Sequence, residues 1–470
     1  MTEEMPVLVV DFAFRRELAE KVEGNLASFC YQCGACVGDC PAAAYDPAFN
    51  PRQIMLKVLY GDAESLLGPA SPLWQCTNCY ACYERCPQQV KPVEVIIALK
   101  NMLHDRGQHP PVVDRVIRTF EETGRTTPIT PAVARNRETL GLPPLEPVPV
   151  AEVRALLGDE APAEAPRSPP LAALPPGQGH RFAFFPGCLI PARMPAMEVA
   201  IREALDRLEV EVVDLPGASC CPDPIYFKSR DKADWLAVAA RNLCLAEDLG
   251  LDLFTNCSGC TATLSETVHL LEDPVLRERT NSRLARIGRT YRGTSRVRHV
   301  VTLLRDVVGY EAVRASVVRP LEGLKVAIHY GCHLLKPSAV MNVDDPDDPH
   351  VLEDLVRAIG AEPVRHRNWY LCCGKACQDE DLPARMMRDL FAAVHAEEAE
   401  LLCLICPTCF AQFDYGQARV AKRFEEDFHI PVVYYLQLLA FAQGTPYDRL
   451  GFDRQRFKPE ALRRFEAAGP

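Results

Sequence analysis

No run of eighteen or more apolar residues occurs anywhere in these 470 residues, which leaves nothing of the length a bilayer-crossing helix needs. Long basic blocks are missing too. Fifty-two Lys and Arg are set against 63 Asp and Glu for a net charge of -11, which argues against a nucleic-acid partner, since phosphate contacts need clustered cations. The opening residues, MTEEMPVLVVDFAFRRELAEK, carry acidic groups and a short apolar patch instead of a basic start and a long apolar core. The expectation is a cytoplasmic, untargeted protein. Glycine fingerprints of nucleotide-binding turns are also absent, so electrons or chemical energy must arrive through a partner.

Cysteine, by contrast, is abundant: 21 residues, an odd number, in a chain with no export signal. Thiols in a reducing compartment stay reduced unless they bind metal or do redox chemistry, and an odd count disfavours a simple disulfide framework. One stretch, WYLCCGKAC (369–377), sets Cys372 beside Cys373. Neighbouring Cα atoms lie about 3.8 Å apart, below the roughly 4.4 to 6.8 Å that an unstrained disulfide spans, so this pair needs another partner.

At about 150 residues per domain the length suggests about three domains. Eight cysteines fall between Cys30 and Cys86 and thirteen between Cys188 and Cys409. The Pro- and Ala-rich stretch 141–179 has few large apolar residues and predicts an extended linker. After it the sequence repeats at an interval near 150 residues: FAFFPGC (182–188) matches VAIHYGC (326–332), VEVVDLPGASCC (210–221) matches AEPVRHRNWYLCC (361–373), and LDLFTNCSGC (251–260) matches LLCLICPTC (401–409). Between these segments Met197, Ile201, Leu205 and Leu208 share one helical face, and Leu352, Leu355, Val356 and Ile359 share another, with Gly360 as the C-cap. Strands alternating with helices predict small parallel sheets, at whose carboxyl edge the loops, and the cysteines, converge. The predicted architecture is multidomain: a mainly helical two-cluster ferredoxin-like domain over 1–125, a linker over 126–180, and two duplicated α/β modules over 181–320 and 321–470. The helical face Val113, Val116, Ile117 and Phe120 is expected to close the first of these domains.

CYQCGACVGDCP (30–41) and CTNCYACYERCP (76–87) both read C-x2-C-x2-C-x3-C-P. Three closely spaced thiolates wrap three irons of a 4Fe-4S cube, while the fourth ligates the other cluster. One cubane then takes Cys30, Cys33, Cys36 and Cys86, and the other takes Cys76, Cys79, Cys82 and Cys40. A pair of zinc knuckles is the plain alternative, but tetrahedral zinc does not call for the triple spacing or for Pro41 and Pro87. Each later repeat gathers five cysteines: Cys188, Cys220, Cys221, Cys257 and Cys260, then Cys332, Cys372, Cys373, Cys406 and Cys409. Either a cubane leaves one thiol free at each site, or the adjacent pair bridges irons in a cluster of another shape; a structural zinc is the third reading.

The patterns C-x31-CC-x35-CxxC and C-x39-CC-x32-CxxC resemble the cysteine-rich CCG modules of the B-type subunit of heterodisulfide reductase, together with GASCCPDP, DKADWLAVAARN, VRHVVTLL, HYGCHLLKPS and IPVVYYLQLLAFAQG. Residues from about 25 to 125, with NPRQIMLKVLYG and LWQCTNCYACYERCP, are similar to the C-type subunit of the same family. The chain thus looks like a natural fusion of the C type to the B type. The resemblance implies two non-cubane 4Fe-4S clusters on the two cysteine quintets, with a small-molecule disulfide cleaved, or formed, between them and electrons supplied by the two cubanes. It also implies an A-type flavoprotein partner fed by a hydrogenase, a formate dehydrogenase or ferredoxin, within a hetero-oligomer. The competing class is a pure conduit, like the iron–sulfur subunits of glycolate oxidase and anaerobic glycerol-3-phosphate dehydrogenase, which pass electrons from a flavin toward quinone.

Among polar residues, His333 follows Cys332 and is a candidate proton donor to a departing thiolate, or else a packed loop histidine. Lys336 and Lys375 are candidates to steer an anionic thiol. After the second CCG this chain has KACQDED where the family has a glycine-rich turn, so Lys375, Cys377 and the acidic run are expected to crowd or recharge the second cluster's surroundings. Cys244 and Cys403 read as small core residues.

Overall fold

The structure is a computed structural model, described here for residues 10–22, 26–158, 170–172, 180–377 and 380–466. Two four-stranded parallel sheets carry the later two-thirds of the chain. The first contains β1 (His180–Phe185), β2 (Val210–Asp214), β3 (Leu253–Thr255) and β4 (Val297–His299) in the order β2-β1-β3-β4. The second contains β5 (Lys325–His329), β6 (Glu362–Val364), β7 (Leu401–Leu404) and β8 (Val432–Tyr434) in the order β6-β5-β7-β8. The two orders are the same topology, drawn twice. The central strands read as continuous apolar runs because helices cover both faces: Ala183, Phe184 and Phe185 in β1 and all of Leu401–Leu404 in β7 are buried.

The helical faces read from the sequence are the buried ones. Met197, Ile201, Leu205 and Leu208 lie in the core, as do Leu352, Leu355, Val356 and Ile359. Gly360 takes φ +85°, and a Cβ there would sit 3.1 Å from the Leu321 amide nitrogen, so this helix end needs glycine. Cys244 and Cys403 are buried, in the helix Lys232–Leu249 and in β7.

The N-terminal part is all helical among its described residues and has its own core around the helix Pro92–Asp105. It docks on both α/β modules. Asn101 Nδ2 donates to the Lys228 carbonyl at 3.0 Å and Asn78 Nδ2 to Ser229 Oγ at 3.1 Å. Across the second module, Tyr45 Oη donates to Asp389 at 2.7 Å and Ser338 Oγ to Glu84 at 2.5 Å.

Two expectations change. The helix Pro111–Thr123 does not close the N-terminal domain: Val113, Ile117 and Phe120 belong to the core of the α/β modules, where the Phe120 ring meets Phe227 edge-on at 4.9 Å. The stretch expected as an extended linker is likewise only partly so. Residues Val150–Ala155 form a helix with Glu152 and Val153 fully buried, as is the following Leu156, while 159–169 and 173–179 lie outside the described residues. Composition misled because a buried carboxylate can be carried when it is paired. Arg241 Nε and Nη2 donate to one Glu152 oxygen at 3.0 and 2.8 Å, and both side chains are fully buried. Arg137 and Glu198 form a second buried pair that fastens the helix Pro131–Thr139. Arg241→Met, which removes both Arg241 bonds to Glu152 and leaves that carboxylate with Arg289 Nε at 3.6 Å, is expected to lower unfolding stability by about 3 kcal/mol in chemical denaturation.

Candidate functional site

The cysteines sit where parallel strands end. β1 runs into Pro186-Gly187-Cys188, β3 into Asn256-Cys257, β5 into Tyr330-Gly331-Cys332 and β7 into Ile405-Cys406. Cys220 with Cys221 and Cys372 with Cys373 lie beyond β2 and β6, and Cys260 and Cys409 open the helices Ser258–Leu270 and Pro407–Phe424. All ten line a single cavity of about 290 Å³.

Their sulfurs form a connected series. Cys188 meets Cys220, Cys220 meets Cys221, Cys221 meets Cys260, and Cys260 meets Cys257. Cys257 then meets Cys406 of the other module. From there Cys406 meets Cys409, Cys409 meets Cys373, Cys373 meets Cys372, and Cys372 meets Cys332. Read outward from the Cys257–Cys406 contact, the two halves repeat the same order of repeat positions, as a two-fold arrangement requires. The sulfurs perturb one another unevenly: contact with Cys372 and Cys409 holds the Cys373 thiol down at about 5, and contact with Cys220 and Cys260 holds Cys221 down at about 7, whereas neighbouring sulfurs and burial push Cys188, Cys260, Cys332 and Cys409 up.

The surroundings fit metal groups on these sulfurs. A Cβ on Gly187 would lie 2.9 Å from Cys260 Sγ and one on Gly331 would lie 3.3 Å from Cys409 Sγ, so each glycine keeps a sulfur accessible. Asn256, beside Cys257, is buried with both side-chain polar atoms unpartnered, and Ser258 Oγ is unpartnered too. Of these, Asn256 Nδ2 and Ser258 Oγ are donors of the kind that suits a sulfur-rich anionic neighbour, while Asn256 Oδ1 is an acceptor. Hydroxyls also reach the thiols: Thr126 Oγ1 lies 3.2 Å from Cys188 Sγ, and Cys372 Sγ lies 3.7 Å from Thr77 Oγ1.

The eight N-terminal cysteines line two separate pockets. Cys30, Cys33, Cys36 and Cys86 share one; Cys40, Cys76, Cys79 and Cys82 share the other. This is the crossed grouping expected from the two motifs. In both loops the residue before and the residue after the second cysteine take positive φ: Gln32 (57°) and Gly34 (87°), then Asn78 (51°) and Tyr80 (63°). Left-handed turns on either side of that cysteine aim three sulfurs inward. The second pocket abuts the cavity, since Cys79 and Cys332 are electrostatic neighbours and Thr77 contacts Cys372, whereas Cys33 in the first is exposed. Lys100, buried between the domains, donates to the Cys76 carbonyl at 2.8 Å and to Asn78 Oδ1 at 2.9 Å.

The non-cysteine candidates divide. His333 lines the cavity, but its Nε2–H is committed to the Asn78 carbonyl at 2.8 Å, tying the Cys332 loop to the Cys76–Cys82 loop. Burial lowers its basicity. Lys336 is buried over the Tyr370 ring, 5.1 Å from its centroid, and does not line the cavity. Lys375 lines it and is exposed. Within the KACQDED segment, Lys375 and Ala376 line the cavity. Gly374 (φ +76°) turns the chain, and Cys377 points into the N-terminal core, with Gln75 Oε1 accepting its S–H at 3.1 Å. Gln378 and Asp379 of that run lie outside the described residues.

Sequence reasoning missed a buried hub. Lys228 is fully buried beneath Tyr80, donating to the Tyr80 hydroxyl, to Glu94 at 3.0 Å and to Glu266 at 2.5 Å. Tyr80 follows Cys79, and Glu266 lies on the helix that begins beside Cys257 and Cys260, so the hub pins one cluster loop to the cavity wall.

Comparison with known proteins agrees with this geometry. Residues 182–265 and 326–414 match the cysteine-rich domain family, and 29–90 match the 4Fe-4S dicluster domain. The chain is 41% identical over 279 residues to the B-type subunit of the ferredoxin/F420H2-dependent CoB-CoM heterodisulfide reductase of Methanosarcina acetivorans, covering 58% of this chain and 93% of that one. It is 35% identical over 135 residues to the C-type subunit of the H2:CoB-CoM heterodisulfide,ferredoxin reductase of Methanothermobacter thermautotrophicus, covering 28% and 72%. The membrane anchor subunit of the 8-methylmenaquinol:fumarate reductase of Wolinella succinogenes is 31% identical over 274 residues, covering 58% and 95%. In fold, a hypothetical protein from Helicobacter pylori superposes with a TM-score of 0.59 at 14% identity, over 96% of this chain and 76% of that one. Fold and site together define an iron–sulfur redox protein built from cysteine-rich domains. The chain belongs to the heterodisulfide reductase family, with a C-type part and a B-type part in one polypeptide. No helix among the described residues is long and apolar enough to cross a membrane.

Proposed function

We propose that this chain is the iron–sulfur catalytic subunit of a heterodisulfide reductase-like complex, which reductively cleaves, or in reverse forms, a small-molecule disulfide. The observation that carries this is the unbroken series of ten sulfurs along one cavity, joined across the modules by Cys257 and Cys406. Cleavage follows R–S–S–R′ + 2e⁻ + 2H⁺ → RSH + R′SH, and two adjacent metal sites match a two-electron demand.

Cys30, Cys33, Cys36 and Cys86, and Cys40, Cys76, Cys79 and Cys82, would hold two cubanes; the quintets Cys188, Cys220, Cys221, Cys257, Cys260 and Cys332, Cys372, Cys373, Cys406, Cys409 would hold two non-cubane clusters. When bound, these groups supply electrons one at a time to a buried sulfur-lined space. The protein's own part is to shape that space. Val116, Leu189, Ile225 and Ala376 give it apolar walls, and Lys375 sets a cation at its exposed side for an acid-bearing thiol. His333 acts first as a positioning residue, since its Nε2–H holds Asn78 and hence the loop of the adjoining cubane. Burial and that neighbouring loop leave Lys336 a role in the Cys332 loop rather than on substrate. An A-type flavoprotein partner is the electron source most consistent with relatives that are themselves parts of larger reductases.

The Wolinella relative, named as part of a menaquinol-linked reductase, gives a specific reason to weigh a second reading: a conduit without disulfide chemistry. Titrating reduced protein with candidate disulfides and watching for a thiol-dependent paramagnetic signal separates the two. The reductase reading predicts such a signal with one thiol of the pair; silence with every disulfide tried selects the conduit.

A further inference from the structure

The corner between the helices Pro92–Asp105 and Pro111–Thr123 carries three ligand-type side chains outside the redox machinery. His104 is in the last turn of the first helix, His109 is in the connecting loop, and Asp114 is in the first turn of the second. One ligand atom from each lies within 4.8 Å of the other two. The two rings stack with centroids 4.4 Å apart, and His109 Nε2 meets Asp114 Oδ1 at 2.8 Å.

A simple His–Asp ion pair accounts for only part of this. It leaves a second imidazole stacked on the first, where two protonated rings would repel, and it leaves His109 Nδ1 buried without a partner. We propose that His104, His109 and Asp114 bind a borderline divalent transition cation, zinc foremost, through two imidazole nitrogens and one carboxylate oxygen, with water completing the shell. The donor set decides the class: magnesium and calcium take oxygen ligands, whereas two imidazoles with a carboxylate are a recurrent zinc set. Burial, then His109 and Arg230, lower the basicity of the His104 imidazole. Asp105 and Asp114 oppose the charge of Arg230 at this corner.

Position gives such an ion a structural effect. The first helix holds the Cys76 loop through Lys100 and the Lys228 carbonyl through Asn101, and the second supplies Val116 to the cavity wall. A cation at the corner would therefore fasten the helix that supports one cluster loop to the helix that flanks the cavity.

The test is made on cluster-loaded protein without oxygen, titrated with Zn²⁺ alone, with bound metal read by equilibrium dialysis and by zinc K-edge absorption. Eighteen cysteines are then committed to iron, and the remaining Cys244, Cys377 and Cys403 are buried, so a nitrogen- and oxygen-bound zinc is distinguishable from thiol binding. The expected result is one zinc per chain with only nitrogen and oxygen scatterers. His104→Ala and His109→Ala should each weaken binding about 100-fold or more. Asp114→Asn, whose side chain is largely exposed and which therefore leaves iron content and helicity unchanged, should weaken it about tenfold. No zinc uptake, sulfur in the zinc shell, or unchanged affinity in Asp114→Asn overturns the proposal.

Discussion

Cys373→Ser is expected to remove one of the iron groups while leaving the N-terminal pair in place. Iron should fall from about sixteen to about twelve per chain, because Cys373 is the sulfur that links Cys372 to Cys409 and no unused thiol lines that side of the cavity. The thiol-dependent signal should vanish with it, since disulfide cleavage needs both halves, while cubane signals persist. Cys403→Ser is the control: this cysteine is buried in β7 away from the cavity, so iron content should be unchanged, at a cost in stability alone. Iron analysis with low-temperature paramagnetic resonance of both variants checks this, and a Cys373→Ser protein with full iron would contradict the ligand assignment.

The second large effect belongs to Lys228→Met. The substitution keeps most of the volume but leaves Glu94 and Glu266 without their shared cation, in a place where Tyr80 is held at φ +63°. Breaking such a buried pair costs about 3–5 kcal/mol, and here the loss falls on the joint between the cluster loop and the first module. The pH dependence has a definite sign. Burial works against ionisation of Glu94, but Lys228 and Lys232 outweigh it and hold the carboxyl down at about 2. A depressed carboxylate contributes stability that is present above its ordinary value near 4.5 and is lost as pH falls toward about 2. Wild type should therefore lose interdomain stability over that window. Lys228→Met should show little of this loss, since its Glu94 has lost the main reason to stay ionised. Denaturant midpoints measured at several pH values from about 5 down to about 3 for both proteins test the claim, and equal pH slopes would contradict it.

The cysteine pattern was legible because ligand chemistry is local: C-x2-C-x2-C sets three sulfurs around one turn, and a duplicated strand-end cysteine lands at the same sheet edge. What brings Cys257 against Cys406 is not local. It depends on how two sheets of identical order dock, which no spacing encodes. The hub was invisible for the same reason, since Lys228 lies 148 residues from Tyr80 and 38 from Glu266. The stretch around Glu152 shows the converse error: its Pro/Ala-rich composition reads as an extended linker, and the distant partners Arg241 and Arg289, with buried Val153 and Leu156, make part of it core. His333 lines the cavity, but its bond to Asn78 is a property of the assembled domains.

The most direct test of the central claim is an iron-edge anomalous difference map from crystals grown without oxygen. The account predicts four iron groups, one in each N-terminal pocket and two inside the cavity lined by the ten later cysteines. Anomalous density confined to the N-terminal pockets, with the cavity free of iron, would contradict it.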